Sequence, residues 1–305
     1  MRTSMTAAFG SHTSLSLAEE SRAKRRAARL SVIIASFLVA LKAATGWITG
    51  SISVWASLLD STMDIFASAI NFVAVRAAAR PADEDHAYGH GKAESLAGLF
   101  QAGVISASGF FLIVEALRRI ASPRPVASTK LGIAAMVIAS VVSAVLVARL
   151  RRVARATDSP ALHADASHYL TDIWTNLGAL VALVLVAQTE WLMIDPLISL
   201  AISLYIIWSA ARVGKESVDV LMDRRLPLDV DEKVAAIINR YRDQGVRGFH
   251  DLRTRRSGSV KFIDLHLEVD RQMRLDEAHE LTVKVLRAIE DEIPRARVQI
   301  HTDPV

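Results

Sequence analysis

The chain has 305 residues, of which 51% are hydrophobic and 22% are charged. This balance excludes an ordinary soluble enzyme, which would be less apolar, and a protein buried entirely in a membrane, which would carry fewer charges. There is no cysteine, which excludes disulfides and thiolate metal sites and disfavours soft Cu(I) as a bound metal. A membrane part and a soluble part are therefore expected.

The positive charge is concentrated in the first part of the chain. From Lys215 onward there are 17 Lys and Arg against 18 Asp and Glu, which leaves 19 against 14 before that point. The sequence has no basic face interleaved with aromatic residues, so the excess favours anchoring at an anionic membrane surface over binding of nucleic acid.

Residues 1–29 are small and polar, and they end in a cluster of basic residues: Arg22, Lys24, Arg25, Arg26 and Arg29. They lack the short apolar core and small-residue cleavage site of a signal peptide, so we expect a cytoplasmic tail. Six apolar segments follow, each close to the ~20 residues that cross a bilayer. They are 30–49, 54–77, 95–117, 131–148, 162–187 and 192–213. These segments predict a six-helix transmembrane domain at 30–213, and the small residues of the third to fifth segments predict a compact bundle.

The basic residues orient the predicted helices. With the amino terminus inside, fifteen Lys and Arg fall on the inner side, against Arg118, Arg119, Arg124 and Lys130 on the outer side. Cytoplasmic loops of membrane proteins carry an excess of Lys and Arg. We therefore expect both termini in the cytoplasm.

The second and fifth segments carry ionisable residues where a membrane helix is most apolar. In SVWASLLDSTMD, Asp60 and Asp64 are four residues apart, and in LHADASHYLTDIW, His168 and Asp172 repeat that spacing. Residues four apart share one face of a helix, so two facing helices would converge three carboxylates and one imidazole. Each acid at a helix centre costs about 2.5–3.5 kcal/mol. A divalent cation or protons would remove that cost, and four N/O donors suit a tetrahedral zinc-type site.

The loop after the second segment holds another candidate site. In RPADEDHAYGHGKAES, the spacing of Asp83, His86 and His90 lets three ligands surround one ion and leaves a fourth position for water. Gly89 and Gly91 free the backbone around His90. We therefore expect a second metal site in this loop.

Beyond Val213 the hydrophobic pattern changes. Helices are predicted at 231–243 and 275–292, and strands at 247–256, 259–269 and 296–302. An αββαβ order implies a two-layer α+β domain, which we expect at 214–305.

The polar faces of these strands carry potential ligands. Ile263, Leu265, Leu267 and Val269 alternate with Asp264, His266 and Glu268, while His301 and Asp303 share one face of the last strand. Four of the nine histidines fall in this small domain: His250, His266, His279 and His301. That concentration favours a metal site over ordinary surface histidines.

The ordered set of motifs resembles the cation diffusion facilitator family, and most closely its bacterial zinc and ferrous-iron efflux members. The matching features are LLDSTMD with HYLTD, the loop PADEDHAYGHGKAES, VLMDRRLP after the last apolar segment, and FHDLRTRRSG through IHTDP. The likeness covers everything except the tail.

This resemblance implies a polytopic α-helical membrane protein with a metallochaperone-like cytoplasmic domain. It implies a homodimeric antiporter in a bacterial-type inner membrane that exports Zn²⁺, or alternatively Fe²⁺, Cd²⁺ or Mn²⁺, in exchange for protons. By position, the transport site is Asp60, Asp64, His168 and Asp172, and the loop site is Asp83, His86 and His90. A binuclear zinc site that helps to hold the dimer together is His250, His266, His279, His301 and Asp303. Lys92 and Asp223 match a charge pair between the two domains. Thr302 stands where close relatives can carry an amide, which leaves the number of ligands in the binuclear site open.

A single site can couple metal to protons when it cannot hold both. A neutral imidazole offers its lone pair to metal, and protonation removes that lone pair. A metal channel without proton coupling and a membrane-anchored metal sensor remain alternatives. An intramembrane metalloprotease is disfavoured because the sequence has no His-Glu-x-x-His motif. Since N/O donors do not select a metal by affinity, Zn, Fe, Mn, Co, Ni and Cd all stay open, with Zn first on geometry.

Overall fold

The computed structural model of the chain describes residues 13–49, 52–122 and 130–305. Two compact units are present, one ending at Val218 and the other running Asp219–Val305. Six long helices come first: α1 (Thr13–Thr49), α2 (Ile52–Ala78), α3 (Ala93–Ala121), α4 (Lys130–Thr157), α5 (Pro160–Thr189) and α6 (Ile194–Leu221). The rest of the chain forms α7 (Leu228–Asn239), a 3₁₀ turn (Arg242–Gln244), β1 (Val246–Ser257), β2 (Val260–Val269), α8 (Leu275–Glu292) and β3 (Ala296–Pro304).

Helix α1 begins earlier than the apolar pattern predicts. Residues 13–29, which we expected to be a cytoplasmic tail, form its first turns, and Ala27 and Ala28 are buried. The stretch LAEESRAKRRAARL consists largely of strong helix formers, so the helix propagates through the basic cluster. The remaining residues of the expected tail, 1–12, lie outside the described part of the chain.

Five of the described helices, α1 and α3 to α6, are long and apolar enough to cross a membrane. Helix α2 is not among the five, although its 27 residues exceed the ~20 that span a bilayer. That property is assessed on described residues alone, and the side chains of residues 52–57, 59 and 60 of α2 are not among them. The described part of α2 carries Asp64, Asn71 and Arg76.

Helix α5 occupies a central position in the first unit, where it packs against α1, α2, α3 and α4. Leu162 and Tyr169 of α5 are fully buried in the same cluster as Leu146 and Leu150 of α4. At Gly178 an added Cβ would overlap Ile202 Cδ1 of α6, so this glycine permits the close approach of two helices.

A buried ion pair connects three helices of this unit. Lys24 Nζ of α1 lies 2.6 Å from Glu94 Oε1 of α3, and the two side chains are 8% and 1% exposed. Ser159 Oγ donates to the other oxygen of the Glu94 carboxylate. Ser159 is also the N-cap of α5, where its side chain accepts from Leu162 N. This network therefore fixes the start of the helix that carries His168.

The second unit is a three-stranded sheet covered on one face by helices. Strand β2 lies in the centre, antiparallel to β1 and parallel to β3. Ile263, Leu265 and Leu267 of β2 are buried against apolar residues of α7 and α8. The predicted alternation along β2 is confirmed, since Asp264, His266 and Glu268 are less buried than these residues. The ionisable residues are consequently left on the face opposite the helices.

Candidate metal sites

The first cluster of potential ligands lies between α2 and α5. His168 Nε2 is 3.0 Å from Asp64 Oδ1, and His168 is 3% exposed. One ligand atom from each of Asp64, His168 and Asp172 lies within 4.8 Å of the others. Helical periodicity brings His168 and Asp172 together, while the packing of α5 on α2 supplies Asp64. One imidazole and two carboxylates are suited to borderline divalent cations.

Asp60 belongs to α2, one turn before Asp64. Its side chain lies outside the described residues, so its predicted role as the fourth ligand stays a prediction. The spacing of four residues puts both positions on the same face of α2.

The buried side of this cluster contains an acid that the sequence analysis missed. Asp165 precedes His168 by one turn and is fully buried. Its Oδ2 accepts from Ser31 Oγ at 2.6 Å. The ring of Tyr169 lies edge-on to that of His168. The Tyr169 hydroxyl forms a hydrogen bond with Ser68 Oγ at 2.9 Å. The signal was present in LHADASHYLTD, where Asp165 stands three residues before His168 and so shares its helix face.

The second cluster lies in the loop between α2 and α3, and it combines all three predicted residues. Asp83 Oδ1 is 3.3 Å from His86 Nδ1, Asp83 Oδ2 is 3.3 Å from His90 Nε2, and the two rings are 4.4 Å apart. Gly89 adopts a φ of 83°, which lets the chain turn between the two histidines. Gly91 shows no such conformation.

The carboxylate of this loop is held in its charged form. The backbone N–H of His86 donates to Asp83 Oδ1 at 2.7 Å and lowers the pKa of Asp83, with further lowering from the His86 side chain and from His90. Asp83 and His86 are both exposed, so an ion bound here would be in contact with water.

The third cluster follows from the register of the sheet. His250 of β1 pairs with His266 of β2, and His266 pairs with His301 of β3, so three imidazoles form one row across the strands. Asp303 lies beside this row, with its Oδ2 2.8 Å from His266 Nδ1 and 3.4 Å from His250 Nε2. Its Oδ1 is 3.3 Å from His301 Nε2. The hydrogen bond from His266, followed by the nearby imidazoles, lowers the pKa of Asp303.

Glu268 is a further residue at this cluster that the sequence analysis did not select. Its Oε1 is 3.0 Å from His250 Nδ1. Gly248 makes room for it, because a Cβ at that position would collide with Glu268 Oε2. The strand alternation had already placed Glu268 on the polar face beside His266.

The expected ligand His279 does not join this cluster, and neither does Thr302, whose position had left the number of ligands open. His279 is exposed on α8, and its ligand atoms are not among those that converge in the described residues. It belongs to the helical layer, whereas the imidazole row lies on the opposite face of the sheet. Thr302 Oγ1 is 2.9 Å from Thr282 Oγ1 of α8 and so points to the helical layer as well. The role of His279 as a ligand therefore stays a prediction.

The two residues of the expected charge pair belong to different units. Asp223 Oδ1 accepts from Arg255 Nη1 at 3.4 Å inside the second unit. Lys92 immediately precedes α3 in the first unit. The Lys92–Asp223 pair itself stays a prediction.

The six-helix unit with an acidic cluster among its helices, joined to a small α+β unit with its own imidazole row, defines a class of membrane proteins that handle metal cations. The model of the cation efflux transmembrane domain matches residues 28–222, and the model of the cytoplasmic domain of cation efflux proteins matches residues 226–305. The chain belongs to the cation efflux family, the cation diffusion facilitators that its motifs resemble. The predicted fold class, a polytopic helical membrane protein with a C-terminal α+β domain, is thereby confirmed.

Curated relatives cover nearly the whole chain. The cation-efflux pump FieF of Yersinia pestis (strain Pestoides F) is 43% identical over 280 residues, which are 92% of each chain. The same figures hold for the cation-efflux pump FieF of Yersinia pseudotuberculosis serotype O:3 (strain YPIII). Among solved structures, the metal-bound C-terminal domain of the CzcD transporter from Thermotoga maritima is 35% identical, with a TM-score of 0.24. That match covers 25% of this chain and 88% of the CzcD domain.

Proposed function

We propose that this protein exports divalent metal cations from the cytoplasm in exchange for protons by alternating access. The observation that carries the proposal is the convergence of Asp64, His168 and Asp172 among the helices of the first unit. Intramembrane ionisable residues mark ion pathways because burying them is otherwise costly. The relatives named cation-efflux pumps support export as the direction.

Exchange follows from the chemistry of the ligands. A divalent ion requires a neutral His168 and ionised carboxylates, and protons remove both conditions. A site that alternately faces each side, and that holds metal or protons but not both, couples the two movements. We propose Asp60 as the fourth ligand, which would complete a tetrahedral set of one nitrogen and three oxygens.

Zn²⁺ is the cargo that this proposed tetrahedron fits best, with Fe²⁺, Cd²⁺ and Mn²⁺ as competitors. The test is a competition series, in which zinc uptake by proteoliposomes is measured while each competing ion is added. Zinc uptake well above that of protein-free vesicles, reduced by competing divalent ions, is expected. Each competing ion is then supplied alone, and absence of uptake for zinc and for every other ion would reject transport.

We further propose that both termini, the loop cluster and residues 149–155 face the cytoplasm of a bacterial-type inner membrane. Ala87 lies between the two histidines of the loop, and the native chain has no cysteine. A cysteine introduced as Ala87→Cys is therefore expected to react with a membrane-impermeant maleimide only after the cells are opened. A cysteine at Ser122, beyond α3, is the matched control and is expected to react in intact cells. Labelling of Ala87→Cys from outside would contradict the orientation.

The third cluster is proposed to bind zinc. The bound zinc is proposed to stabilise a homodimer that forms through the second unit of the chain. Metal that binds only the folded dimer shifts the monomer–dimer equilibrium by mass action. We expect zinc to tighten the dimer of residues 214–305 in sedimentation, and His266→Ala to abolish that effect. Gln272→Ala, in the exposed turn after β2, is the control and should behave like the wild type. An equilibrium that does not respond to zinc would rule out this role.

Acid is expected to reverse the effect of zinc on the dimer. The lowered pKa of Asp303 means that its carboxylate stays charged as the pH falls from 7 to 5. The stabilisation linked to this carboxylate is present above its ordinary pKa and is lost only as the pH falls through the lowered value. Protons compete with metal for nitrogen ligands. Zinc should therefore tighten the dimer less at pH 5 than at pH 7, and His266→Ala should remove this difference in sedimentation.

A further inference from the structure

Lys42 is a charged residue that the proposed exchange mechanism does not use. It lies in α1, inside the candidate membrane span Glu19–Ile48, and its side chain is half-buried. Lysines near the ends of membrane helices commonly extend their ammonium groups to the membrane surface. Lys42 Nζ instead donates to Ser61 Oγ of α2 at 2.6 Å, and Ser61 is 2% exposed. The ammonium group is therefore directed into the α1–α2 interface.

Ser61 places this ammonium group next to the acidic cluster. Ser61 is three residues before Asp64 in α2, and residues with this spacing are neighbours on one helix face, with Cβ atoms about 5–6 Å apart. Asp64 contacts His168 at 3.0 Å. In the sequence, Asp60 directly precedes Ser61. The residue that Lys42 contacts is consequently about one helical turn from Asp64 of the proposed transport site.

The charges of the cluster explain why a fixed cation is useful there. Asp64 and Asp172 converge on one imidazole, and carboxylates within a membrane are costly unless a positive charge accompanies them. The hydroxyl of Ser61 accepts a hydrogen bond from the ammonium group and carries no charge of its own. The carboxylates and Lys42 are of opposite sign, and their attraction is strong in surroundings of low dielectric constant.

We propose that Lys42 is a built-in counter-cation of the transport site, which offsets part of its carboxylate charge whenever no divalent metal is bound. This inference rests on the proposed transport function. A fixed positive charge beside the site repels a bound dication, so it weakens binding and speeds release. Without Lys42 the site retains more negative charge, binds metal more tightly and turns over more slowly.

The test uses the full-length protein with His86→Ala and His266→Ala, which weaken the loop and cytoplasmic clusters. In this background, Lys42→Met is expected to tighten Zn²⁺ binding by about tenfold. This factor corresponds to the loss of roughly 1.4 kcal/mol of repulsion between the ammonium group and the bound ion. Zinc uptake by proteoliposomes should show a lower KM together with a lower kcat. Lys42→Arg keeps the charge and should retain wild-type affinity. Lys130→Met, at the exposed start of α4, loses the same charge elsewhere and should leave zinc binding unchanged.

Unchanged or weaker zinc affinity in folded Lys42→Met would overturn the inference. A lower kcat with an unchanged KM would also overturn it, because a purely structural role of Lys42 predicts that result. Lys42→Gln provides the same measurement if Lys42→Met does not fold. Asp64→Ala separates this inference from the proposed function. If Asp64→Ala abolishes uptake while Lys42→Met changes neither affinity nor KM, only the role of Lys42 fails. If Asp64→Ala transports normally, the transport site itself is wrong.

Discussion

Replacement of His168 by alanine is expected to lower the apparent zinc affinity of uptake by at least about a hundredfold, since even residues that only support metal ligands contribute about 10–100-fold. His168 supplies the one imidazole of the intramembrane cluster and contacts Asp64 at 3.0 Å. Its loss leaves only oxygen ligands and an incomplete tetrahedron. Insertion should survive, because removing an ionisable group from a membrane helix relieves a cost.

The variant His168→Asp exchanges the ligand at this position instead of removing it. Relative to His168→Ala, the carboxylate restores a ligand at this position, so binding of divalent ions should return with a preference shifted toward harder or larger ions such as Mn²⁺ and Cd²⁺. The pH profile of uptake should also move, because a carboxylate and an imidazole have different ordinary pKa values. The measurement is metal flux into proteoliposomes at several pH values for the wild type, His168→Ala and His168→Asp. Equal zinc flux and equal pH profiles would show that His168 is neither a ligand nor a proton carrier.

The second large effect is expected at the buried ion pair of the first unit. Glu94→Gln leaves Lys24 with a neutral partner in a site where both side chains are at most 8% exposed. Breaking a buried pair from one side costs about 3–5 kcal/mol. Glu94 also accepts from Ser159 at the N-cap of α5, so the loss should affect the helix that carries His168.

The comparison of single and double variants identifies the cause of this effect. Thermal unfolding of the purified protein should show a strongly lowered midpoint for Glu94→Gln. The double variant Lys24→Met/Glu94→Gln should recover much of the lost midpoint temperature, because neither charge of the pair remains. Asp276→Asn breaks the exposed pair with Arg274 and should change stability by at most about 1 kcal/mol. A Glu94→Gln midpoint equal to that of Asp276→Asn would show that the buried pair does not stabilise the fold.

The cluster of Asp64, His168 and Asp172 could be predicted because its signal is local. His168 and Asp172 are one helical turn apart, and polar residues in an apolar segment stand out against their surroundings. The pairing of Lys24 with Glu94 joins residues 70 positions apart, and neither residue stands in a pattern that points to the other. Lys42 was not predicted as a functional residue for a different reason. The orientation of the helices in the membrane depends only on basic residues near the helix ends.

In the second unit, alternation along the strands indicated which residues share the polar face, but not which of them are opposite one another. That depends on register, which is shifted between His250 and Arg253 and was not readable from period two. Glu268 was missed for the same reason, because its contact with His250 requires the cross-strand alignment and the absence of a side chain at Gly248.

The central claim is that Asp64, His168 and Asp172 exchange divalent metal for protons. The most direct measurement follows zinc and internal pH together in proteoliposomes that contain indicators for both and that are more acidic inside. Zinc uptake driven by the proton gradient is expected, with a matching rise of internal pH, and Asp64→Ala should show neither signal. Zinc uptake that is equal with and without the gradient, at constant internal pH, would identify a channel and contradict exchange.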